Sequence, residues 1–281
     1  MLRRPRWLLI LFIIAWTGCD LSRGTEHLPT DPVVPGHIVF ASDRDEAHGE
    51  IYVMRDDGAH VARLTFNSVE DAAPLLSPDG TKITFRRELN PASVFVMNLD
   101  GSSQIGLAPG KRAEWSPDGT KLALVAESLA VMNADATGKH TFGVGASYVA
   151  WSPDGSKLAY VSTGINGQAA NDIYTVLPNG TGALRITTDG VARNSLAWSP
   201  DGTKLIYGAP QGVCVIPASG GIVESPIQGK EPRWSPDGLR IIFVTNAYDG
   251  NDEIYTVRTD GSDPKNMSGN AAAESDPDWG H

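Results

Sequence analysis

The chain has 281 residues, 41% of them hydrophobic, which is enough apolar material for one sizeable core. Its formal net charge of −10 at pH 7 argues against nucleic acid as a partner, because phosphate backbones are bound by clustered Lys and Arg. With only two cysteines, no disulfide framework is expected.

The first 18 residues have the pattern of an export signal. Basic residues at positions 3–6 precede an apolar run, Trp7–Trp16, which is shorter than the roughly 20 residues needed to span a bilayer. Thr17-Gly18-Cys19 resembles a bacterial lipobox, although Trp16 stands where that motif usually has an aliphatic residue. The resemblance implies cleavage before Cys19 and its acylation. The alternative is an ordinary cleaved signal and a soluble secreted protein.

Residues 19–36 are largely polar and contain Pro29, Pro32 and Pro35, which favours an extended linker. We therefore expect a signal peptide at 1–18, a lipid-anchored linker at 19–36 and a single domain at 37–281. The expected location is the bacterial cell envelope, as an exported lipoprotein that faces the periplasm or lies on the surface. A membrane would then be one partner, through the lipid at Cys19.

An internal repeat dominates the rest of the chain. The tetrapeptide Ser-Pro-Asp-Gly occurs five times, at intervals of 39, 36, 47 and 36 residues, beginning at Ser77, Ser116, Ser152, Ser199 and Ser235. A sixth copy is split between the chain ends, where Pro277-Asp278-Trp279 matches the strand before the motif and residues 37–40 match the strand after it. The two termini are therefore predicted to share one repeat.

Each copy has the composition of four short strands. Pro fixes φ and Gly supplies the unhindered position of a tight turn in Ser-Pro-Asp-Gly, and a second hairpin follows at a turn such as Asp57-Gly58 or Asp100-Gly101. Four strands at a period near 40 are typical of a propeller blade. We predict an all-β, six-bladed β-propeller of four-stranded antiparallel blades, closed by a blade that the N- and C-terminal strands share. Tryptophans precede four of the serines and end the split copy; they are expected to pack between blades, with ligand stacking as the alternative: Trp115, Trp151, Trp198, Trp234 and Trp279.

At these residues the sequence resembles the TolB-like β-propeller family, whose repeat reads Pro-x-Trp-Ser-Pro-Asp-Gly followed later by Ile-Tyr-Val-Met. Residues 232–238 and 51–54 match these two patterns, and the resemblance extends from Ile38 to Trp279. It implies the six-bladed fold. The family's namesake carries a folded domain ahead of its propeller, for which residues 20–37 leave no room, so we expect a bare propeller lipoprotein.

Motifs of catalysis are missing from the sequence. The six histidines are scattered singly, no serine lies in a Gly-x-Ser-x-Gly elbow, and no Cys/His spacing suits a metal. Cys214 lies in an apolar run and is expected to be a buried hydrophobe. We therefore predict a protein that is not an enzyme and needs no cofactor or metal.

The loops divide into two faces. Ser-Pro-Asp-Gly and Asp-Gly turns occupy one face uniformly, whereas long and diverse loops occupy the other, and variable loops on a rigid scaffold are where binding concentrates. We predict that an envelope protein binds this variable-loop face and the channel mouth. The alternative is a saccharide- or peptide-processing enzyme or enzyme subunit. The predicted partner-binding residues are Asp43, Arg44, Asp45, Arg86, Arg87, Asn171, Asp172, Asp249, Asp252 and Glu253.

Overall fold

Tight turns separate the short strands of the repeats. A computed structural model describes residues 37–45, 48–221, 224–247, 250–269 and 272–279. These residues form six four-stranded sheets, in which every pair of neighbouring strands is antiparallel. The prediction of an all-β propeller with six blades is confirmed. Cys19 and the predicted signal and linker lie outside the described residues.

The blades follow chain order except where the ends meet. Blade 1 contains β24 (Glu274–Trp279), β1 (His37–Ser42), β2 (Glu50–Arg55) and β3 (Ala62–Arg63). Blade 2 contains β4 (Asp71–Leu76), β5 (Lys82–Arg87), β6 (Ser93–Asn98) and β7 (Ile105–Pro109). Blade 3 contains β8 (Arg112–Trp115), β9 (Lys121–Val125), β10 (Ala130–Asn133) and β11 (His140–Thr141).

The remaining blades repeat this order. Blade 4 contains β12 (Ala146–Trp151), β13 (Leu158–Ser162), β14 (Ile173–Val176) and β15 (Leu184–Arg185), with a 3₁₀ turn at Ile165–Gly167. Blade 5 contains β16 (Ala197–Trp198), β17 (Lys204–Ala209), β18 (Gly212–Pro217) and β19 (Glu224–Ile227). Blade 6 contains β20 (Lys230–Trp234), β21 (Arg240–Thr245), β22 (Glu253–Arg258) and β23 (Lys265–Asn266).

The Ser-Pro-Asp-Gly motif builds the turn between the first and second strand of a blade. In blade 3 the Ser116 hydroxyl donates to Asp118 at 2.6 Å and accepts from the Lys121 amide at 2.9 Å. The Gly119 amide donates to the Ser116 carbonyl at 2.8 Å, and Gly119 has a φ of +68°, a left-handed conformation that favours glycine. Side chain and backbone therefore specify the same hairpin.

Blade 1 closes the ring through the two chain ends. Strand β24 pairs antiparallel with β1, so that Trp279 lies opposite Ile38. In the complete repeats the same register places Trp115 opposite Leu122 and Trp151 opposite Leu158. The predicted split repeat is therefore confirmed strand for strand.

The core lies between neighbouring blades, as expected for a propeller. Trp115 packs in a cluster with Leu75 and Val94 of blade 2, and Trp151 packs with Val125 of blade 3. Trp198, Trp234 and Trp279 pack in the same way against the next three clusters. Leu76 takes the tryptophan position in blade 2, and Cys214 is fully buried as predicted. No helix within the described ranges is both long and apolar enough to cross a membrane.

Candidate functional site at the channel mouth

Two of the residues predicted to bind a partner are buried inside their blades. The Asp172 side chain accepts hydrogen bonds from Thr187, Arg185 and the Gly190 amide at 3.0–3.1 Å, and the residue is 0% exposed. Glu253 is 1% exposed and accepts from Ser268 and from Asn251. Both carboxylates tie the third strand of a blade to the fourth. We therefore remove them from the surface proposed to contact a partner.

Arg44 and Arg87 are likewise engaged within the molecule. The Arg44 guanidinium donates to Glu274 at 2.7 Å and stacks 4.9 Å from the Tyr52 ring centroid. Arg87 forms a bidentate pair with Asp71 at 2.7 Å and lies 4.8 Å from the Phe95 ring centroid. These contacts hold the ends of blades 1 and 2 and leave little of either guanidinium for a ligand.

The other predicted residues lie nearer the surface. Asp43 and Asp45 are exposed and accept hydrogen bonds from the Ala273 amide at 3.2 Å and the Tyr52 hydroxyl at 2.7 Å. Arg86 pairs with Glu70 and Glu88, and Asp252 accepts from Lys230 at 2.8 Å. Asn171 is exposed, and its amide donates to the Gly190 carbonyl at 3.3 Å. Asp249 lies outside the described residues.

A concave site lies instead at the other end of the channel, where the Ser-Pro-Asp-Gly turns meet. We call this end the repeat-turn face and the cavity, of about 390 Å³, the axial cavity. All six blades contribute to its lining, which places it on the axis of the ring. Its aromatic and proline lining consists of Trp115, Trp151, Trp198, Trp234, Trp279, Pro78, Pro117, Pro153 and Pro200. The tryptophans therefore pack between blades, as predicted, and they also line a cavity.

Three charged side chains lie among the aromatic rings. Arg233 Nη2 is 3.7 Å from Glu114 Oε2, and Arg233 Nε is 3.6 Å from Asp278 Oδ1. The guanidinium is anchored separately, through Nη1, on the Leu196 carbonyl at 2.6 Å. Asp278 also accepts from the Leu76 amide at 2.9 Å. Two carboxylates and one guanidinium thus give this part of the cavity one net negative charge when all are ionised.

Burial changes the chemistry of Glu114. Loss of solvent, with a smaller contribution from the nearby Asp278 charge, raises the pKa of Glu114 to about 7, against the opposing effect of Arg233 and Arg112. Its Oε2 atom has no hydrogen-bond partner among the described residues, since the 3.7 Å approach of Arg233 is too long for one. The carboxyl that lines the cavity therefore keeps one oxygen without a hydrogen-bond partner among the described residues.

The indole N–H groups that line the cavity are of two kinds, those with an acceptor and those without. Trp151 donates to the Glu114 carbonyl and Trp198 to the Ala150 carbonyl, both at 3.2 Å. The Nε1 atoms of Trp115 and Trp234 are buried and have no acceptor within the described structure. A buried donor without an acceptor costs roughly 1–3 kcal/mol, so these two indoles lack a contact that Trp151 and Trp198 have.

A second charged layer lies deeper in the channel. Arg112 pairs with Asp276 at 2.8 Å and stacks 5.0 Å from the Tyr148 ring centroid, while Glu231 accepts from the Asp276 amide at 2.8 Å. Burial raises the pKa of Glu231, whereas Arg112 keeps the pKa of Asp276 below its usual range despite burial. No group of three or more His, Cys, Asp or Glu suited to holding a metal is found in the described part of the chain.

The sequence contains a signal for the axial cavity that motif reading missed. Its charged members occupy the position just before the last residue of the first strand, which is Leu75, Glu114, Ala150, Ala197, Arg233 and Asp278 in blades 2 to 6 and 1. This position is charged in three blades and apolar in three. Because this position lines the axial cavity in all six blades, the residues found there set the charge of the cavity.

Comparison with known proteins supports the architecture. No protein-family model and no curated protein matches the chain. The crystal structure of TolB from Acinetobacter baumannii superposes with a TM-score of 0.73 at 18% identity, over 87% of this chain and 66% of that one. The chain therefore spans slightly less than two thirds of that TolB.

Two further solved structures are similar. A putative TolB from Agrobacterium tumefaciens gives a TM-score of 0.63 at 17% identity, over 84% of this chain and 89% of that one. A chain of a nidogen/laminin complex gives 0.64 at 12% identity, over 84% and 92%. Identities this low show the fold alone. The chain has the fold of a TolB-like six-bladed β-propeller.

Proposed function

We propose that this protein is a non-catalytic binding module of the bacterial cell envelope, and that it docks a protein partner on the repeat-turn face with the axial cavity as the anchor point. The observation that carries the proposal is the cavity of about 390 Å³ lined by five tryptophans. Tryptophan is enriched among the residues that dominate binding energy at protein interfaces. Packing between blades holds these rings in place, which reduces the entropy lost on binding.

The fold is compatible with such a role. Propellers of this type commonly mediate protein–protein interaction, and one of the similar structures is a chain within a complex of two proteins, nidogen and laminin. These parallels support a binding function without naming a partner.

The envelope location rests on the N-terminal sequence. Acylation of Cys19 would tether the protein, because two or more acyl chains hold a protein to a bilayer where a single chain binds only marginally. The variant Cys19→Ala should move from the membrane fraction to the soluble fraction after a high-salt wash. Sedimentation of the variant with membranes would contradict the lipid anchor.

The variable-loop face is the second candidate for the docking surface. Asp43 and Asp45 are exposed there and lie beside the channel strand β24 through the contact of Asp43 with Ala273. Charges of this kind steer association and set specificity.

One pair of double variants compares the two faces. Pro153 and Pro200 are exposed turn residues that line the axial cavity, so Pro153→Arg with Pro200→Arg places two bulky cations at its rim. Asp43→Arg with Asp45→Arg places two on the variable-loop face. Partners captured by the wild-type protein from envelope extracts should be lost by the first variant and kept by the second.

The reverse pattern would move the docking surface to the variable loops. Retention of every partner by both variants would refute both sites. Turnover of a saccharide or peptide by the purified protein would contradict the non-catalytic part of the proposal.

A further inference from the structure

The axial cavity has a neighbour along one inter-blade boundary. A second cavity of about 790 Å³ lies between blades 2 and 3 on the repeat-turn face, and Pro78, Trp115 and Pro117 line both cavities. We call this second cavity the side groove. Its apolar surface includes Leu107 and Ile105, and the Ile105 residue is 59% exposed. The two cavities therefore adjoin each other, one on the ring axis and one nearer the rim.

Carboxylates border the side groove. Asp79, Asp118 and Asp135 line it, and hydrogen bonds from neighbouring hydroxyls, those of Ser77, Ser116 and Thr137 respectively, hold the pKa of each below its usual value. All three are therefore ionised at neutral pH. Lys82 also lines the groove, and its ammonium donates to Asn98 at 3.3 Å. The net charge of these four groups favours a cationic ligand.

The axial cavity has matching requirements. Glu114 lines it and carries one carboxyl oxygen without a hydrogen-bond partner among the described residues. The surrounding charges, Glu114, Asp278 and Arg233, sum to one negative charge when all are ionised. Aromatic faces attract cations through the ring quadrupole, most strongly in tryptophan.

We propose, on the basis of the function proposed above, that the partner inserts a lysine or arginine side chain into the axial cavity from an extended peptide segment that leaves through the side groove. The cation replaces solvent at Glu114 and is surrounded by indole rings. Apolar side chains of the segment cover Ile105 and Leu107, and the aspartates along the groove attract further basic residues.

A peptide pair tests the cation directly. The probe is the blocked pentapeptide acetyl-Gly-Leu-Lys-Pro-Gly-amide, and its control carries norleucine in place of lysine, which keeps the four side-chain carbons and removes the ammonium group. Calorimetry at pH 8 measures both affinities, and the indole N–H signals of Trp115 and Trp234 in NMR spectra report whether the peptide is in the axial cavity. We expect the lysine peptide to bind at least about fivefold more tightly and to shift both signals.

Two protein variants localise the effect to one carboxylate. Glu114→Gln keeps the shape of the side chain and should abolish the preference for lysine. Glu127→Gln is the matched control, because Glu127 is an exposed residue of the same blade in the β9–β10 loop, on the opposite face. It should behave as the wild type.

The preference for lysine should also fall between pH 8 and pH 6. Glu114 gains a proton over this range, whereas the groove aspartates and the peptide lysine keep their charges. The charged groups acting on Glu114 are Arg112 of its own strand, Arg233 of β20 and Asp278 of β24, and Glu114 is the one among these with a pKa raised to about 7.

Each outcome decides the question. Equal affinity for the two peptides, or an undiminished preference in Glu114→Gln, overturns the cation assignment. Failure of the lysine peptide to bind at millimolar concentration overturns it as well. None of these results tests the broader proposal of a protein-binding module. That proposal is tested by the capture of partners with the proline and aspartate variants. A shift of both indole signals with loss of the preference in Glu114→Gln supports the assignment.

Discussion

Removal of residues 276–281 should open the ring, because these residues complete blade 1. The deletion takes away Trp279, which packs partly buried against the cluster of Ile38 and Phe40. A fully buried aromatic costs roughly 3–5 kcal/mol on truncation, and partial burial gives a smaller cost of about 2 kcal/mol. It also removes Asp276 from Arg112, whose side chain is 12% exposed, and loss of one partner of a buried ion pair costs roughly 3–5 kcal/mol.

The Leu76 amide would lose its 2.9 Å hydrogen bond to Asp278, at about 1–3 kcal/mol for a buried donor. Together these losses reach about 6–10 kcal/mol, which is the size of a typical domain's total stability of roughly 5–15 kcal/mol. Urea unfolding followed by circular dichroism and tryptophan fluorescence should show early, cooperative loss of structure. A chain shortened only to Trp279 controls for truncation itself. An unchanged midpoint in the longer deletion would refute closure of the ring through its ends.

Three smaller perturbations test the supporting contacts. Glu50→Ala should destabilise the fold by about 2–4 kcal/mol, because the buried carboxylate accepts from Thr65, Arg63 and the Asn67 amide, and an unchanged urea midpoint would contradict this. Gly119→Ala should lower the free energy of unfolding by about 1 kcal/mol through backbone conformation alone, since φ is +68° and the nearest atom to an added Cβ is 3.9 Å away. A variant as stable as the wild type, or more stable, would contradict this. Stability should also fall below about pH 4, because turn hydrogen bonds lower the folded-state pKa of Asp154 and Asp201 to about 2. The stability that these two carboxylates contribute is present above the unfolded-state pKa and is lost as the pH falls through the folded-state pKa. Thermal melts from pH 5 to 2 should therefore show a smaller fall of the melting temperature in the double variant Asp154→Asn with Asp201→Asn than in the wild type. The same fall in both proteins would contradict this prediction.

The fold was predictable because its determinants are local and repeated. Ser-Pro-Asp-Gly specifies a hairpin through contacts within six residues, as the bonds of Ser116 to Asp118 and to the Lys121 amide show. Repetition then fixes the number of blades. The split copy at the termini follows from the same pattern, and the pairing of Trp279 with Ile38 confirms it.

The site was harder to predict because its residues are brought together by the ring. Glu114 and Arg233 are more than a hundred positions apart and meet only across the channel axis. Repetition also carries information about burial. The tryptophans recur where blades pack, and acids recur in the same way where the third strand begins, at Glu50, Asp172 and Glu253, which are all buried. Recurrence therefore indicates burial for Asp172 and Glu253, in contrast to their prediction as surface residues.

The register between strands β24 and β1, where the chain ends meet, has a practical consequence for the connectivity of the chain. Trp279 faces Ile38 just as Trp115 faces Leu122, and in blade 3 the turn at 116–121 joins the two. A copy of that turn placed between Trp279 and Ile38 would join the ends without shifting either strand, and the chain could then begin at any other Ser-Pro-Asp-Gly turn. Such a circular permutant keeps every strand pair of the ring. The point at which the propeller starts along the chain is thus set by the sequence alone, and the closed ring itself has no preferred beginning.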